Sequence, residues 1–142
     1  MSDMSDEQVN DFNQSIIAEF RENDGVIGGP FEGASVLLLH HTGARSGKAR
    51  LNPLAYRPEG DAWAVFASKA GAPTNPDWYH NLKANPDATI EVGTETVEVT
   101  ARQAEGEERE RIWEAQKADV ADFAGYEAAT DRQIPVMVLG RR

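Results

Sequence analysis

The chain has no cysteine and no long apolar run. Without cysteine it can form neither disulfide bonds nor thiolate metal sites, and it has no thiol nucleophile. Its apolar runs are far shorter than the ~20 residues that a membrane-spanning helix needs, which predicts no stable membrane insertion. The first residues also lack the basic region and apolar core of a secretory signal. We therefore expect a cytoplasmic protein, peripheral to a membrane at most.

Positive charge is scarce as well. The chain has 14 Lys and Arg residues against 24 Asp and Glu residues, a formal net charge of -10. Binding to a phosphate backbone typically requires a basic face on a basic domain, so we expect no nucleic acid partner. The length of 142 residues suits a single domain. We expect an N-terminal helix and linker over residues 1–33 and a ligand-binding barrel over residues 34–142.

Carboxylates are missing from one segment of this acidic chain. Residues 33–58 contain no Asp or Glu, but they contain four Arg or Lys residues: Arg45, Lys48, Arg50 and Arg57. An acidic protein can hold an anion only where positive groups are concentrated and hydroxyl or backbone N–H groups converge. The segment therefore predicts an anion-binding loop around residues 42–50, and the alternative is a solvated basic turn.

Apolar periodicity predicts the secondary structure. Val9, Phe12, Ile16 and Phe20 recur at helical spacing, which predicts an amphipathic helix that ends near residues 23–25. Strands are predicted over residues 35–40, 51–57, 62–67, 88–92, 96–102 and 134–139. Further helices are predicted over residues 77–83, 107–117 and 120–129, the first of them with Asn75 as its N-cap.

The order of these elements predicts the fold class. The first strand is apolar throughout, which indicates burial on both faces, and Pro135 suggests an edge or a bulge in the last strand. Parallel strand–helix–strand alternation is absent. We therefore predict an α+β, mainly β fold, namely a six-stranded antiparallel barrel with an N-terminal helix and peripheral helices.

Several chemistries do not fit the residues. Residues 43–48 differ from a phosphate-binding P-loop, because one residue too few separates the glycines and no Ser or Thr follows Lys48. Ser46 and Ser68 lack the Gly-x-Ser-x-Gly elbow of serine hydrolases. His40 and His41 are neighbours on a strand and point to opposite faces, so we expect no histidine metal site. An anion site without nucleophile or metal indicates that a bound cofactor performs the reaction.

Four ordered motifs give the chain a recognisable family pattern. They are TGARSGKARLNPL at 42–54, ASKAG at 67–71, NPDWYHNL at 75–82 and TDRQIP at 130–135. Together they resemble the deazaflavin-dependent nitroreductase family, over a stretch from about residue 22 to the C-terminus. The resemblance implies a split β-barrel that binds coenzyme F420, an 8-hydroxy-5-deazaflavin with a phosphate and an oligoglutamate tail, and no metal.

The resemblance also implies site residues and a reaction. The negative tail would explain why the cations are kept together and free of carboxylates. The implied activity is hydride transfer from the reduced coenzyme to an electron-poor small molecule, such as a quinone, an activated enone or a nitroaromatic. The candidate proton donors are Ser68 and Tyr126, with solvent as the alternative. The implied cofactor-binding residues are Arg45, Ser46, Lys48, Arg50, Asn52, Pro53, Ala67, Ser68, Lys69, Asn75, Trp78 and Tyr79.

The acceptor pocket is where the chain departs from the family pattern. Its implied lining is Ala55, Phe123, Tyr126 and Ala129. Relatives that reduce nitroimidazoles have several tyrosines there, whereas only Tyr126 carries a hydroxyl group in this chain. We therefore expect a more apolar pocket, which favours quinones or enones over nitroaromatic compounds.

Two other functions are compatible with the sequence. The protein could carry the coenzyme without catalysis, or it could be an FMN-dependent oxidoreductase on the same barrel. FMN has one phosphate and no glutamate tail, so the density of basic residues disfavours it. The oligomeric state, monomer or weak dimer, is left open.

Overall fold

A computed structural model describes residues 6–22, 35–68 and 74–142 of the chain, with the backbone alone for residues 6–13. Within these residues there are four helices: α1 (Asp6–Glu22), α2 (Asp77–Ala84), α3 (Gly106–Asp119) and α4 (Asp122–Ala128). The strands are β1 (Val36–Thr42), β2 (Ala49–Glu59), β3 (Ala62–Phe66), β4 (Asp87–Val92), β5 (Glu95–Gln103) and β6 (Val136–Arg141). None of the described helices has the length and apolar character required to cross a membrane.

The six strands form a closed antiparallel barrel. Their order around the barrel is β1-β2-β3-β6-β5-β4, and β1 closes it by pairing with β4. The first three strands are sequential neighbours, whereas β6 returns from the end of the chain to lie between β3 and β5. The predicted α+β, mainly β barrel with peripheral helices is confirmed.

Strand β1 is buried on both faces, as its apolar run predicted. Leu37 and Leu39 lie in the barrel core. Val36 and Leu38 pack on the outside of the barrel against α1, through Ile16, Ile17 and Phe20. The predicted apolar stripe of α1 is thus confirmed for Ile16 and Phe20, while the side chains of Val9 and Phe12 lie outside the described residues.

A second apolar cluster lies between the barrel and the last two helices. Phe66 on β3 packs against Trp113 of α3 and Phe123 of α4, with ring centroids 6.0 and 5.3 Å away. These rings are tilted or edge-to-face, the arrangements that aromatic quadrupoles favour. The outer faces of β3 and β6 are covered in this way, and α4 is held against the barrel.

Strand β2 changes its pairing partner part-way along its length. Residues 49–55 pair with β1, and residues 56–59 pair with β3 on the opposite edge. The first half of β2 therefore keeps one edge unpaired, which is where the barrel splits. Pro53 lies in this half, and a proline, which cannot donate a ladder hydrogen bond, is tolerated beside such an edge.

Two local predictions are wrong. Asn75 does not cap α2, because Pro76 occupies the N-cap position without a side-chain hydrogen bond and the Asn75 Oδ1 atom instead accepts from Arg132. Pro135 is not a bulge or an edge residue within the last strand, since β6 begins only at Val136. The carbonyl group of Pro135 accepts the backbone N–H of Ala67 at 2.9 Å.

The packing of α1 can be tested by removing the largest side chain that it buries. Phe20 is 2% exposed, and replacing a buried phenylalanine by alanine typically costs about 3–5 kcal/mol. We expect Phe20→Ala to lower the free energy of unfolding by about 3 kcal/mol, measured by urea denaturation. Gln14→Ala, on the exposed side of α1, is the control and should change it by less than about 0.5 kcal/mol. Equal stabilities of the two variants would contradict the docking of α1.

Candidate functional site

The described parts of the four motifs meet at one end of the barrel. In an antiparallel barrel the β1–β2 loop, the end of β3, the start of β4 and the start of β6 lie at the same end. Direct contacts confirm this: the Ala44 backbone N–H donates to Asn81 Oδ1 of α2 at 2.8 Å, and Ala67 bonds to Pro135. We call this end, formed by residues 43–50, 67–68, 75–82 and 130–135, the site end.

The basic loop of residues 43–48 is a tight hairpin. The Gly43 N–H donates to the Lys48 carbonyl at 2.9 Å, and the Gly47 N–H donates to the Gly43 carbonyl at 3.0 Å. Gly47 has a φ of 67°, a conformation that favours glycine. The Ser46 hydroxyl accepts the Lys48 N–H at 3.2 Å. Three N–H groups of the loop are thus bonded within it, and the Arg45 and Lys48 side chains are exposed to solvent.

The cations at the site end differ from those elsewhere. Among the described residues, Arg45, Lys48 and Arg50 have no acidic partner within ion-pair distance. At the opposite end of the barrel, by contrast, Arg57 pairs with Asp119 at 2.5 Å and Arg111 pairs with Glu59 at 2.6 Å. Unneutralised positive charge in an acidic protein produces a local potential that attracts anions. The predicted anion-binding character of the loop is thus supported by its charge environment.

The β3–α2 segment contributes several of the predicted cofactor residues. Ala67 and Trp78 are buried in the barrel core beneath the site end. The Tyr79 hydroxyl donates to Gln103 Oε1 at 2.9 Å. Ser68 is partly buried, and Lys69 lies outside the described residues.

Arg132 joins two of the motifs. Its guanidinium group donates to Asn75 Oδ1 at 2.7 Å and to the Ser68 carbonyl at 2.9 Å, and burial lowers its pKa. The predicted cofactor residue Asn75 is thus engaged by Arg132. The sequence reasoning did not identify this bridging role, because the only signal was the position of Arg132 inside the 130–135 motif.

A buried polar network lies beneath the basic loop. His41 is 4% exposed, its Nε2 atom is 2.7 Å from Asn52 Oδ1, and its Nδ1 atom is 3.0 Å from Asn81 Nδ2. Burial, the largest cause, lowers the pKa of His41. His40 points outward and contacts Glu91, so the two histidines face opposite sides, as predicted. In the described part of the chain, no group of three or more acidic or histidine side chains could hold a metal ion.

Two of the residues that were predicted to line the acceptor pocket, Phe123 and Tyr126, lie on α4. Its Glu127 accepts from Trp113 Nε1 at 2.6 Å and from Lys117 Nζ at 2.9 Å, which fixes α4 to α3. Phe123 is buried and contacts the partly exposed Tyr126 edge-to-face at 5.3 Å. Burial, followed by the nearby charge of Asp122, raises the pKa of Tyr126.

The remaining pocket residues occupy different elements. Ala129 is exposed at the end of α4, and Ala55 is exposed on β2 next to the split. Phe123, by contrast, is buried in the apolar cluster between the barrel and the helices α3 and α4, and it packs against Tyr126. The four residues offer one hydroxyl group, that of Tyr126, and otherwise apolar surface.

Comparison with known proteins gives concordant matches. A family described as F420H(2)-dependent quinone reductase matches residues 14–141. An F420H(2)-dependent quinone reductase of Mycobacterium tuberculosis is 43% identical over 129 residues, which cover 88% of this chain and 87% of the relative. The solved structure of an F420-H2 dependent reductase, FDR-A, is 42% identical with a TM-score of 0.68, over 74% of this chain and 93% of that one.

A further similar solved structure is described as a domain-swapped dimer. It is 37% identical and has a TM-score of 0.69, with coverage of 94% of this chain and 97% of that one. Together the matches confirm the relationship to F420-dependent reductases that the motifs indicate.

The environment of Tyr126 predicts an alkaline titration. Because its pKa is raised in the folded protein, the folded state should lose stability as the pH rises above the unfolded value of about 10. We expect the tyrosinate absorbance that disappears in Tyr126→Phe to titrate above pH ~10 in the folded protein and near pH ~10 in denaturant. Coincident titrations in the two states would show that Tyr126 is solvated, and would contradict its packing against the apolar cluster between the barrel and the last two helices.

Proposed function

The chain belongs to the F420H(2)-dependent quinone reductase family, and we propose that it transfers a hydride from reduced coenzyme F420 to a quinone. The observation that carries the proposal is a group of cations at the site end, Arg45, Lys48 and Arg50, for which the described residues provide no acidic partner. An acidic protein keeps such a group where it binds an anion. The phosphate and the oligoglutamate tail of the coenzyme are anions of the required kind.

The donor groups of the basic loop suit this tail. An arginine guanidinium can bind a carboxylate or phosphate with two parallel hydrogen bonds, and a lysine adds a compact charge. Arg45, Lys48 and Arg50 can therefore engage several carboxylates along the tail, and the exposed Ser46 hydroxyl adds a donor. FMN, with one phosphate, would leave most of these groups unused.

The ring of the coenzyme is proposed to lie at the split of the barrel. When bound, the reduced deazaflavin supplies a hydride, which together with one proton converts a quinone into a hydroquinone. Asn52 and Pro53 line the unpaired edge of β2, and Ala67 and Ser68 follow β3 on the other side. The protein then contributes orientation and the exclusion of water.

The acceptor is proposed to bind between α4 and the split. Ala55, Ala129 and the ring of Phe123 offer apolar surface for a quinone. Tyr126 is protonated at neutral pH, as any tyrosine with a pKa at or above about 10 is, so its hydroxyl group can donate a hydrogen bond to a quinone oxygen and assist its protonation. This apolar pocket with a single hydroxyl group favours quinones over nitroaromatic compounds.

Coenzyme binding is tested by fluorescence titration of the purified protein with oxidised coenzyme F420, with FMN in parallel. We expect saturable, salt-sensitive binding of the deazaflavin. Arg45→Gln should weaken it up to about fivefold, since an exposed charge pair is worth up to about 1 kcal/mol. Arg111→Gln removes the same charge at the opposite end of the barrel and should leave binding unchanged. Equal losses in both variants, or a preference for FMN, would contradict the proposed site.

The role of Tyr126 is tested by turnover with menadione as the quinone. We expect Tyr126→Phe to oxidise reduced coenzyme F420 about tenfold more slowly, a modest loss for a general acid, with unchanged coenzyme affinity. Tyr56→Phe removes a hydroxyl group from the partly buried Tyr56 of β2 and is the control. An unchanged kcat in Tyr126→Phe would remove Tyr126 from the mechanism, and the absence of turnover by the wild-type protein would support a coenzyme carrier.

A further inference from the structure

The hydrogen bonds around His41 fix the direction of every donor in the buried network. The Ala44 backbone N–H can only donate, so Asn81 Oδ1 is the acceptor of their 2.8 Å contact. Asn81 must then donate through Nδ2 to His41 Nδ1. With Nδ1 as an acceptor, the neutral imidazole carries its proton on Nε2 and donates it to Asn52 Oδ1 at 2.7 Å. A backbone group thus sets the tautomer of His41.

The orientation of Asn52 follows from this tautomer. Because Oδ1 accepts from His41, the Nδ2 amino group of Asn52 points elsewhere, and none of the described residues accepts a hydrogen bond from it. Asn52 lies opposite Leu39, in the half of β2 that has an unpaired edge. Because directly opposite residues of an antiparallel pair share a face, the Asn52 side chain points inward like that of Leu39, beside the split. Its Nδ2 donor is not used by the fold.

We propose that His41 is a positioning residue that orients the Asn52 amide to donate to an acceptor atom of the bound coenzyme, a ring carbonyl or a phosphate oxygen. The inference rests on the proposed function, because it assumes that coenzyme F420 occupies the split. His41 does not touch the coenzyme. The same network holds the Ala44 backbone through Asn81, so the orientation of Asn52 and the position of the basic loop depend on one buried imidazole.

Protonation of His41 would break this arrangement. An imidazolium has two N–H donors, so its Nδ1–H would face the Asn81 Nδ2 donor. Turning the Asn81 amide would relieve that conflict but would leave the Ala44 N–H facing a second donor. The charged or titratable groups around His41 are Arg50, Asp77 and His40. Orientation by His41 therefore persists above its depressed pKa and is lost as the pH falls below it.

The proposal is tested by coenzyme titrations of three single variants between pH 5 and 8. Each is compared with the wild-type protein at the same pH, so that the titration of the coenzyme itself cancels. His41→Gln offers an acceptor and a donor but does not titrate, and it should bind nearly as tightly as the wild-type protein without the acidic loss. His41→Leu should bind about tenfold more weakly, within the range for an unsatisfied buried amide. His40→Gln, on the outer face, should match the wild-type protein throughout.

A double variant separates positioning from a general structural effect. If His41 acts through Asn52, then His41→Leu combined with Asn52→Leu should bind no more weakly than Asn52→Leu alone. Additive losses would overturn the proposal, and so would unchanged affinity in His41→Leu. If the wild-type protein bound no coenzyme F420, the proposed function would fail and this inference with it.

A measurement on the coenzyme-free protein distinguishes a failure of the His41 inference from a failure of the proposed function. The ¹⁵N chemical shifts of the His41 imidazole report its tautomer and its charge without any ligand. We expect the Nε2–H tautomer at pH 7.5, with a protonation midpoint below the ordinary histidine value of about 6.5. The Nδ1–H tautomer, or an imidazolium at pH 7.5, would overturn the proposed network whether or not the coenzyme binds.

Discussion

The site depends on the change of pairing partner in β2. Residues 49–55 pair with β1 and residues 56–59 pair with β3, so one strand joins two walls of the barrel and leaves an unpaired edge between them. This edge begins at the foot of the basic loop, because β2 starts directly after residues 43–48. The basic loop and the opening of the barrel are therefore adjacent for a topological reason. Such an arrangement suits the proposed coenzyme, which has a flat ring and a charged tail.

Charge distribution reinforces this geometry. In a chain with a net charge of -10, the Arg residues of the far end and of α3 are neutralised by neighbouring carboxylates, for example in Arg57–Asp119 and Arg111–Glu59. In the part of the chain that the structure describes, no carboxylate pairs with the cations of the basic loop. Surface ion pairs contribute little stability, so the contrast matters mainly for ligand binding. The acidic remainder of the surface repels anions and leaves the site end as the favoured place for a polyanionic tail.

The sequence predicted the strands better than their ends or their contacts. Apolar runs marked each strand core, but β1 continues through His41 and Thr42, and β2 begins at Ala49, because pairing with a neighbour extends strands into polar residues. Arg132 contacts Asn75, which is 57 positions away in sequence, and His41 contacts Asn81, which is 40 positions away. Spacing along the chain cannot reveal such contacts. The motifs indicated a candidate site because the residues of each motif are local in sequence, whereas the network that supports them is not.

The most direct test of the account is a crystal structure of the protein with coenzyme F420. We expect the glutamate tail within hydrogen-bond distance of Arg45, Lys48 and Arg50, and the ring beside the unpaired edge of β2. A coenzyme bound at the opposite end of the barrel, near Glu59 and Arg111, or a tail that extends into solvent without contacting the basic loop, would contradict the proposed site.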